Sequence, residues 1–509
     1  MNNIAYYLSS HPDIKKAVVL MDVSSSPNLI YDICKLTKLE TLLILVKDAK
    51  KKKETEKIYK VMKENKVRFP EKLEIVFWTA KLDIYQDKVD ALIFDAIEEC
   101  EPILKLKNLN AAYLIGVCEK HKVSAFKLWE EYRAVSRAIY IQSWEQGHRD
   151  EILEWYGKCE DIELSVVFPM FKVEAYLPQC IETTTAWKAE YIEFLFIDDG
   201  SPDGCADIVR KAAEKDKRIH LLSKENGGCA SARQFGLERA QGRYVGFVDP
   251  DDYIEKDMFL KLLSRALMGS YEISYCGYKE LYEESGKTRE IPDVLGWPYD
   301  EGTTDLQKIY ELIAYRRIGI WRGIYLKEMI ERNHIHFYTD IRRFDDLPFK
   351  VETLAVAKSV VAIPEYLYYY RMSRPGQDVS ADDERLYVHF PIFQYLDKFL
   401  GAIGDEIRLR YLQLVKLQTH RWAIEKIKPE YLKVYCLKAR DDLLKNYSYS
   451  ESIFIFSEMA SRRDQAYFMA ICSGKTNYIQ MLLKYGKIKD RNKDEAVIKK
   501  LQKMDKAYY

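Results

Sequence analysis

Residues 224–252 read KENGGCASARQFGLERAQGRYVGFVDPDD, and the rest of the chain is interpreted outward from them. Within this stretch, RYVGFV (243–248) is a short apolar run of β-branched and aromatic residues, which predicts a buried strand. Asp249, Asp251 and Asp252 follow at its carboxyl end, where open α/β sheets bind their ligands. Three carboxylates beside an apolar strand are costly unless a cation or hydrogen-bond donors compensate them. A hard divalent ion that also holds phosphate oxygens fits this pattern, although an isolated D-x-D-D is also typical of a plain acidic turn.

Two further predicted strands lie upstream. Residues 192–204 read IEFLFIDDGSPDG, a buried strand that ends in Asp198 and Asp199 before a turn. Residues 164–176 read LSVVFPMFKVEAY, which predicts a strand interrupted at Pro169. The two strands would place Pro169 and Asp199 at adjacent strand ends.

Taken together, these segments resemble the family 2 glycosyltransferases of GT-A fold, and the resemblance covers residues 161–380. The family pattern is N-x-G-x-x-x-A-R-N-x-G-x-x-x-A-x-G-x-Y-x-x-F-x-D-x-D-D, preceded by P-x-Y-N and V-D-D-G-S-x-D. The matching positions are Asn226, Gly228, Ala232, Arg233, Gly236, Ala240, Gly242, Tyr244, Phe247, Asp249, Asp251 and Asp252. Phe171-Lys172 stands where the family has Tyr-Asn, and Gln234 replaces the Asn of A-R-N, so the identity of the nucleotide stays open.

The resemblance implies an inverting, metal-dependent enzyme that moves a sugar from a nucleotide sugar, with a UDP-sugar as the expected donor. The acceptor would be an oligosaccharide or lipid-linked glycan of a bacterial surface polysaccharide, either capsule or lipopolysaccharide. The metal, Mn²⁺ or Mg²⁺, would be held by Asp251 and Asp249. The residues implied at the donor nucleotide are Pro169, Phe171, Glu174, Asp199, Arg233 and Asp249.

Two later segments are expected to complete the site. IWRGIY (320–325) resembles the family's acceptor-side segment, so Trp321 would stack on a sugar, although a core aromatic is an equal alternative. RRFDDLPF (342–349) aligns with the family's E-D-x-x-F, which implies that Asp346 is the general base and that Asp345 orients the acceptor or the loop. The alternative is that the two aspartates only cap the helix that follows them. VVAIPEYLYYYR (360–371) resembles the strand that follows in bacterial members.

Residues 1–160 predict a small parallel α/β domain of unassigned role. Its expected strands are 16–22, 40–46, 73–78 and 89–95, separated by helical patterns. Residues 24–28 (SSSPN) follow the first strand and predict a helix N-cap, with phosphate binding as the alternative. Residues 110–161 are expected to be largely helical.

Residues 381–509 predict an all-helical region, because apolar residues recur at three- and four-residue spacing. The expected helices are 384–400, 405–427, 431–444 and 451–471. Gln418-x-x-Arg421-Trp422 matches the Q-x-x-R-W of membrane-embedded processive synthases. We interpret that match as coincidental, because it lies too far from the Asp251-Asp252 pair and no membrane helices surround it. The Lys-rich tail, 478–509, is expected to form a solvated helix or to touch anionic lipid.

Composition narrows the classes of protein that remain. Lys plus Arg and Asp plus Glu both number 79, so no overall basic field favours nucleic acid as a partner. Ten scattered cysteines without a C-x-x-C pair indicate reduced thiols. Because no window reaches ~18 consecutive apolar residues, a cytoplasmic protein is expected. Peripheral contact with the cytoplasmic face of the inner membrane and polysaccharide-assembly proteins as partners stay open.

Two other functional classes remain as alternatives. A nucleotidyltransferase would release pyrophosphate from a nucleoside triphosphate, but the chain lacks a Gly-rich, basic triphosphate loop near the first core strand. A non-catalytic glycan-binding scaffold would keep the fold without binding a nucleoside diphosphate in the presence of Mn²⁺ or Mg²⁺.

Overall fold

The computed structural model describes residues 3–21, 28–37, 39–46, 49–64, 72–77, 89–97, 111–119, 125–133, 138–144, 151–156, 161–292, 302–372 and 380–485, together with a few isolated positions between them. The chain forms two compact units. The first comprises Met1–Asp161 and Leu263–Tyr271, and the second comprises Ile162–Leu262 and Glu272–Tyr509.

The first unit is built on a seven-stranded sheet in the order β3-β2-β1-β4-β5-β6-β7. Its strands are β1 (Lys16–Met21), β2 (Thr41–Val46), β3 (Lys72–Phe77), β4 (Ala91–Ile97), β5 (Tyr113–Glu119), β6 (Ala138–Trp144) and β7 (Glu151–Tyr156). The helices described here are α1 (Asn3–Ser9), α2 (Asn28–Leu36), α3 (Ala49–Glu64) and α4 (Ala125–Tyr132). The strands pair in parallel except β7, which runs antiparallel to β6. This order is that of doubly wound α/β domains, so the predicted parallel α/β domain is confirmed.

The prediction that residues 110–161 are largely helical is wrong. They contain β5, β6 and β7, with α4 as the helix between β5 and β6. The strand sequences YLIGVCE, AIYIQSW and EILEWY are short and rich in β-branched and aromatic residues, which suit a half-buried pleated surface better than a long helix. The segment 24–28 lies outside the described residues except for Asn28, the first residue of α2.

The second unit begins with a mixed sheet in the order β10-β9-β8-β11-β15-β13-β16-β12, with β14 paired to β13. The strands are β8 (Leu164–Met170), β9 (Ile192–Asp198), β10 (Ile219–Ser223), β11 (Tyr244–Phe247), β12 (Tyr253–Ile254), β13 (Ile273–Tyr282), β14 (Lys287–Ile291), β15 (Gly323–Leu326) and β16 (Val360–Met372). The helices between these strands along the chain are α5 (Leu177–Thr184), α6 (Cys205–Ala213), α7 (Cys229–Leu237), α8 (Met258–Met268), α9 (Leu306–Tyr315), α10 (Lys327–Arg332) and α11 (Asp346–Val356). The part of α8 from Leu263 onward is assigned to the first unit. Strands β8 to β11 are parallel, so their carboxyl ends share one edge of the sheet.

The sequence predicts an interruption at Pro169, and this prediction is wrong. Strand β8 continues through Pro169 to Met170. The Met170 carbonyl accepts a hydrogen bond from the N–H of Asp199 on the β9 side, and the Val167 carbonyl accepts one from Val248 on the β11 side. Because the backbone groups alternate sides, position 169 faces the β11 side, where pairing ends at Val167. The N–H that proline lacks would therefore have no strand partner, which is where a strand tolerates proline.

Gly242 lets the chain entering β11 pass close to β8. A Cβ atom at this position would lie 2.5 Å from the backbone nitrogen of Ser165. The Gly242 N–H donates to Ser165 Oγ at 2.7 Å, and that hydroxyl donates to Glu193 Oε1 at 2.5 Å. Glu193 also accepts from the Gln241 N–H at 2.8 Å, so this buried network fixes the register of β8, β9 and β11.

The rest of the second unit is helical in the described residues, which confirms the predicted helical region. A 3-10 turn at Glu384–Val388 precedes six α-helices. They are α12 (His389–Ile403), α13 (Glu406–Ile424), α14 (Pro429–Leu443), α15 (Tyr449–Met459), α16 (Arg462–Cys472) and α17 (Thr476–Tyr485). One hydrophobic core runs from the sheet through α11 into these helices. None of the helices in the described residues is both long and apolar enough to span a membrane.

One predicted helix, 451–471, is two helices. Ala460 and Ser461 have extended backbones, and the Ser461 hydroxyl accepts a hydrogen bond from the N–H of Asp464, which caps α16. The predicted tail 478–509 is described only as far as Tyr485, the end of α17.

The close approach at Gly242 gives a stability prediction. Gly242→Ala should lower the free energy of unfolding by about 1–3 kcal/mol, because backbone atoms of β8 must move to admit the methyl group. Gly401→Ala in α12 is the matched control. Its added methyl meets nothing within 4 Å, so the change should be neutral or stabilising by up to about 1 kcal/mol. Thermal unfolding of both variants measures this, and equal midpoints would contradict the proposed constraint.

Candidate active site

A cleft of about 1080 Å³ opens at the carboxyl ends of β8, β9 and β11, and we call it the central cleft. It is also lined by side chains of α13, so the sheet and the helical region share it. The sequence-predicted site residues that line it are Pro169, Phe171, Asp199, Arg233, Asp249, Asp251, Trp321, Asp345 and Asp346. The volume slightly exceeds the range of roughly 300–1,000 Å³ usual for small-ligand sites. The central cleft therefore has room for more than one ligand.

Asp199 lies buried at the end of β9 and anchors the glycine turn before α7. Its Oδ1 accepts from the N–H of Gly227 at 2.9 Å and from Lys224 Nζ at 2.7 Å, and its Oδ2 accepts from the N–H of Gly228 at 2.7 Å. Gly228 has a φ of +88°, which favours glycine. A carboxylate offers about four acceptor sites. One site on Asp199 is therefore left for a ligand.

Glu174 and Phe171 occupy the loop after β8 but differ in placement. Glu174 is exposed and lies outside the lining of the central cleft, and its Oε2 accepts from the N–H of Gly204 at 2.9 Å at the start of α6. Phe171 lines the cleft with 42% of its surface exposed. Lys172, next to it, has a φ of +56°, and its N–H donates to Ser201 Oγ at 2.8 Å.

Arg233 on α7 joins two carboxylates that are far apart in sequence. It donates to Asp249 Oδ1 at 2.5 Å and to Asp345 Oδ2 at 2.7 Å. Burial alone would lower the pKa of Arg233, but the charges of Asp345 and Asp249 hold it well above its usual value. Its buried Nε has no hydrogen-bond partner within the described part of the chain. Arg233 is thus a fixed cation between the strand-end aspartates and the start of α11.

The three aspartates after β11 have different surroundings. Asp252 is buried, and its oxygens accept from the Tyr368 hydroxyl and the N–H of Arg371, both at 2.8 Å. Burial, with a contribution from Asp249, raises the pKa of Asp252 well above its usual value. Asp252 therefore holds strand β16 in place, whereas Asp249 and Asp251 line the central cleft.

This arrangement suits a divalent cation that takes only a few of its ligands from the protein. In the residues that the structure describes, no group of three or more His, Cys, Asp or Glu side chains forms a metal cage. Asp249 and Asp251 supply hard oxygen donors, although Arg233 already binds one oxygen of Asp249. Mg²⁺ commonly takes one or two carboxylates and completes its shell with substrate phosphates and water. The residues present suit that kind of shared site.

Asp345 and Asp346 stand at the start of α11 and have different environments. Asp345 is 5% exposed, makes no side-chain capping hydrogen bond, and is paired with Arg233. Asp346 is half-buried and lines the central cleft as the first residue of the helix. Phe344 precedes them with a φ of +56°, which is unusual for a large side chain.

Trp321 was expected either to face a sugar or to be a core aromatic, and its placement has features of both. It is 5% exposed, and its ring stacks on Tyr368 and Tyr370 with centroid distances of 4.1 and 5.4 Å. The edge of Tyr278 meets it at 5.0 Å. The ring is therefore mainly a packed aromatic, with part of its surface on the central cleft.

Helix α13 and the turn that follows it contribute cleft residues for which the sequence predicted no role. Gln418, Arg421, Trp422 and Lys426 all line the central cleft. Three of them belong to the Q-x-x-R-W match, which we interpret as coincidental. Packing of α13 against the core nevertheless brings these residues to the central cleft. The spacing of Gln418 and Trp422, four residues apart on one face of α13, was the available signal.

Comparison with known proteins agrees with this geometry. The mixed sheet, with its cleft at the carboxyl ends of β8, β9 and β11, has the GT-A fold. Residues 165–327 match the family described as Glycosyl transferase family 2.

The chain is 35% identical over 217 residues to the uncharacterized glycosyltransferase EpsJ of Bacillus subtilis, a match that covers 41% of this chain and 60% of EpsJ. It is 35% identical over 122 residues to the putative teichuronic acid biosynthesis glycosyltransferase TuaG of the same organism, covering 24% of this chain and 48% of TuaG. The chain thus spans 60% or less of these relatives' lengths.

The crystal structure of Staphylococcus aureus TarS 1-349 in complex with UDP-GlcNAc has a similar fold. Its TM-score is 0.50 at 18% identity, and the match covers 64% of this chain and 92% of that chain.

The Arg233 bridge gives a prediction about stability. Arg233→Ala should cost about 3–5 kcal/mol, because it leaves the buried Asp345 carboxylate without a counter-charge. The double variant Arg233→Ala/Asp345→Asn should regain part of that loss. Arg210→Ala, which breaks an exposed ion pair with Asp207 on α6, is the control and should cost about 1 kcal/mol or less. Denaturant unfolding of the wild type, Arg233→Ala, Asp345→Asn and their double variant, with Arg210→Ala as the control, measures the coupling, and strictly additive losses would refute it.

Proposed function

We propose that the chain is an inverting glycosyltransferase that moves a sugar from a nucleoside diphosphate donor to a hydroxyl of a bacterial cell-surface glycan. The observation that carries this proposal is the shared cleft, which is lined by Asp249, Asp251 and Asp346 together with Arg233. The carboxylates of Asp249 and Asp251 suit a donor diphosphate and its cation. The carboxylate of Asp346 suits an acceptor hydroxyl.

The donor side of the proposal rests on charge. Asp249 and Asp251 would hold Mn²⁺ or Mg²⁺, which would neutralise charge on the departing diphosphate. Arg233 adds a buried positive charge that its bonds to Asp249 and Asp345 hold in place. The remaining acceptor site on Asp199 is available to a base N–H, as the family resemblance implies.

The acceptor side rests on the contrast between the two aspartates at α11. Asp345 is buried and paired with Arg233, which favours a positioning role. Asp346 is half-buried and faces the cleft, so it would take the proton of the acceptor hydroxyl. That oxygen then forms a bond to the anomeric carbon while the bond from this carbon to the diphosphate oxygen breaks. A single displacement of this kind inverts the anomeric centre.

The biological setting is proposed from relatives. TuaG is named for teichuronic acid biosynthesis, and GgaB of Bacillus subtilis is named a minor teichoic acid biosynthesis protein. We therefore propose a surface polysaccharide as the product.

The direct test incubates the full chain with a panel of sugar nucleotides and Mn²⁺ or Mg²⁺ and measures release of nucleoside diphosphate. Release from one donor supports the proposal. Release of pyrophosphate from a nucleoside triphosphate instead would indicate a nucleotidyltransferase, and no binding of any nucleotide would indicate a scaffold.

Removal of Asp251 should separate metal binding from folding. Asp251→Ala should abolish the Mn²⁺-dependent gain in affinity for UDP, because it removes a carboxylate from the proposed metal pair, and the unfolding midpoint should stay near that of the wild type. Calorimetric titration of UDP with and without Mn²⁺ measures this. Asp207→Ala, a change to an exposed carboxylate on α6, is the control. An unchanged metal dependence in Asp251→Ala would rule out this ligand.

The base assignment predicts a rate effect with intact binding. Asp346→Asn keeps size and hydrogen bonding but removes basicity, so the transfer rate should fall by ~10²–10⁴-fold. Affinity for donor and metal should be retained. Steady-state transfer assays compare it with Asp345→Asn. If Asp346→Asn transfers at a near wild-type rate while Asp345→Asn does not, the two roles are reversed.

A further inference from the structure

A further set of cleft side chains lies on three neighbouring strands of the mixed sheet. Glu280 of β13 is the register partner of Arg289 on β14 and of Tyr370 on β16. Residues in register on adjacent strands point to the same face of a sheet, and all three of these side chains line the central cleft. We call Tyr370, Glu280 and Arg289 the β13 platform.

The β13 platform has an aromatic part. Tyr370 is half-buried, and its ring stacks on that of Trp321 with an angle of 3° between the ring planes. This contact holds the ring in place, while part of its surface stays on the central cleft. Burial raises the pKa of the Tyr370 hydroxyl, and the charges of Asp249 and Asp346 contribute. Tyr370 therefore lies within electrostatic reach of the proposed metal pair and of the proposed base.

The polar part of the β13 platform is a buried carboxylate. Glu280 is 6% exposed, and its Oε2 accepts from the Tyr282 hydroxyl at 2.9 Å and pairs with a guanidinium nitrogen of Arg289 at 2.6 Å. A nitrogen of Arg317 lies 4.0 Å from Oε1, which is beyond hydrogen-bond distance. Within the described part of the chain, Oε1 has no hydrogen-bond partner. Leaving a buried carboxylate oxygen in this state is costly unless a ligand donates to it.

The position of the β13 platform separates it from the residues proposed for the donor nucleotide. Those residues lie at the carboxyl ends of β8, β9 and β11. The platform is carried by β13, β14 and β16, which lie beyond β15 in the order of the sheet. The nucleotide would therefore occupy one part of the central cleft and leave the platform to another ligand.

We infer that the β13 platform binds a sugar ring of the acceptor glycan. The ring would lie on Tyr370, with one hydroxyl donating to Glu280 Oε1 and another accepting from Arg289. This inference rests on the proposed transferase function and adds a subsite for its acceptor. An aromatic ring suits the apolar face of a pyranose, while a carboxylate and a guanidinium match its hydroxyls as acceptor and donor. Because the charges of Glu280 and Arg289 offset each other, an uncharged sugar suits this place. The other source of the same chemistry is the sugar of the donor.

The test is a set of ligand-observed NMR titrations of the full chain with maltose, cellobiose and N,N′-diacetylchitobiose, in the presence of saturating UDP and Mn²⁺. At least one disaccharide should bind at millimolar concentrations. Tyr370→Leu should weaken that binding by about three- to tenfold, the range of an aromatic contact, whereas Tyr370→Phe keeps the ring and should retain it. Glu280→Gln should weaken it by about tenfold, because a charged acceptor is lost. Glu290→Gln, which removes an exposed carboxylate of β14 outside the cleft lining, is the matched control.

Two results would overturn the inference. One is that none of the three disaccharides binds, and the other is that binding is unchanged in both Tyr370→Leu and Glu280→Gln. Thermal unfolding checks that each variant is folded, and Glu280→Gln decides the matter if Tyr370→Leu is not.

Titrations with UDP-N-acetylglucosamine and with UDP separate the two sources of a sugar. If Tyr370→Leu and Glu280→Gln weaken binding of the sugar nucleotide but not of UDP, and leave disaccharide binding unchanged, the β13 platform holds the donor sugar and the inference is wrong. Failure of UDP to bind to the wild type would count against the proposed donor. The disaccharide titrations without nucleotide would then still decide whether the platform takes a sugar.

Discussion

The paired contacts of Arg233 are the interaction on which the site depends. One guanidinium reaches Asp249 at the end of β11 and Asp345 at the start of α11, two residues that lie on different elements of the second unit. Buried charges are tolerated only when they are paired, so Arg233, Asp249 and Asp345 must be placed together or not at all. The bridge ties the strand-end aspartates to the loop that carries Asp346.

Around that bridge, other polar contacts fix the remaining parts of the cleft. Asp199 binds the glycine turn that begins α7, the helix on which Arg233 stands. Asp252 uses its carboxylate to hold β16 rather than to face the cleft. Phe344 packs against His389 and Trp422 of the helical region, with centroid distances of 5.0 and 5.8 Å. The C-terminal helices are therefore part of the site and not only an appended domain.

The sequence predicted the catalytic fold well, because its strands are short apolar runs that end in polar clusters at the same edge of a sheet. It failed where local pattern was weaker than tertiary context. Residues 110–161 looked helical. Strands β5 to β7 are stabilised by pairing with neighbouring strands, and a local stretch of sequence does not show this pairing. Pro169 looked like a break in the strand. Because pairing with β11 ends before this position, the N–H that proline lacks would have had no hydrogen-bond partner there.

Within the site, residue types were predictable but partners were not. The pairing of Arg233 with Asp345 joins residues 112 positions apart, and nothing in either segment signals the other. The same holds for Trp422, whose place in the central cleft follows from the packing of α13. Asp252 shows the reverse case, since its motif suggested a place near the metal and its hydrogen bonds commit it to β16.

The most direct measurement is a crystal structure of the full chain with UDP and Mn²⁺ bound. We expect a diphosphate beside Asp249 and Asp251, the nucleotide base near Asp199, and the Arg233–Asp345 pair intact. A nucleotide bound outside the central cleft, or a cation held without Asp251, would contradict this expectation.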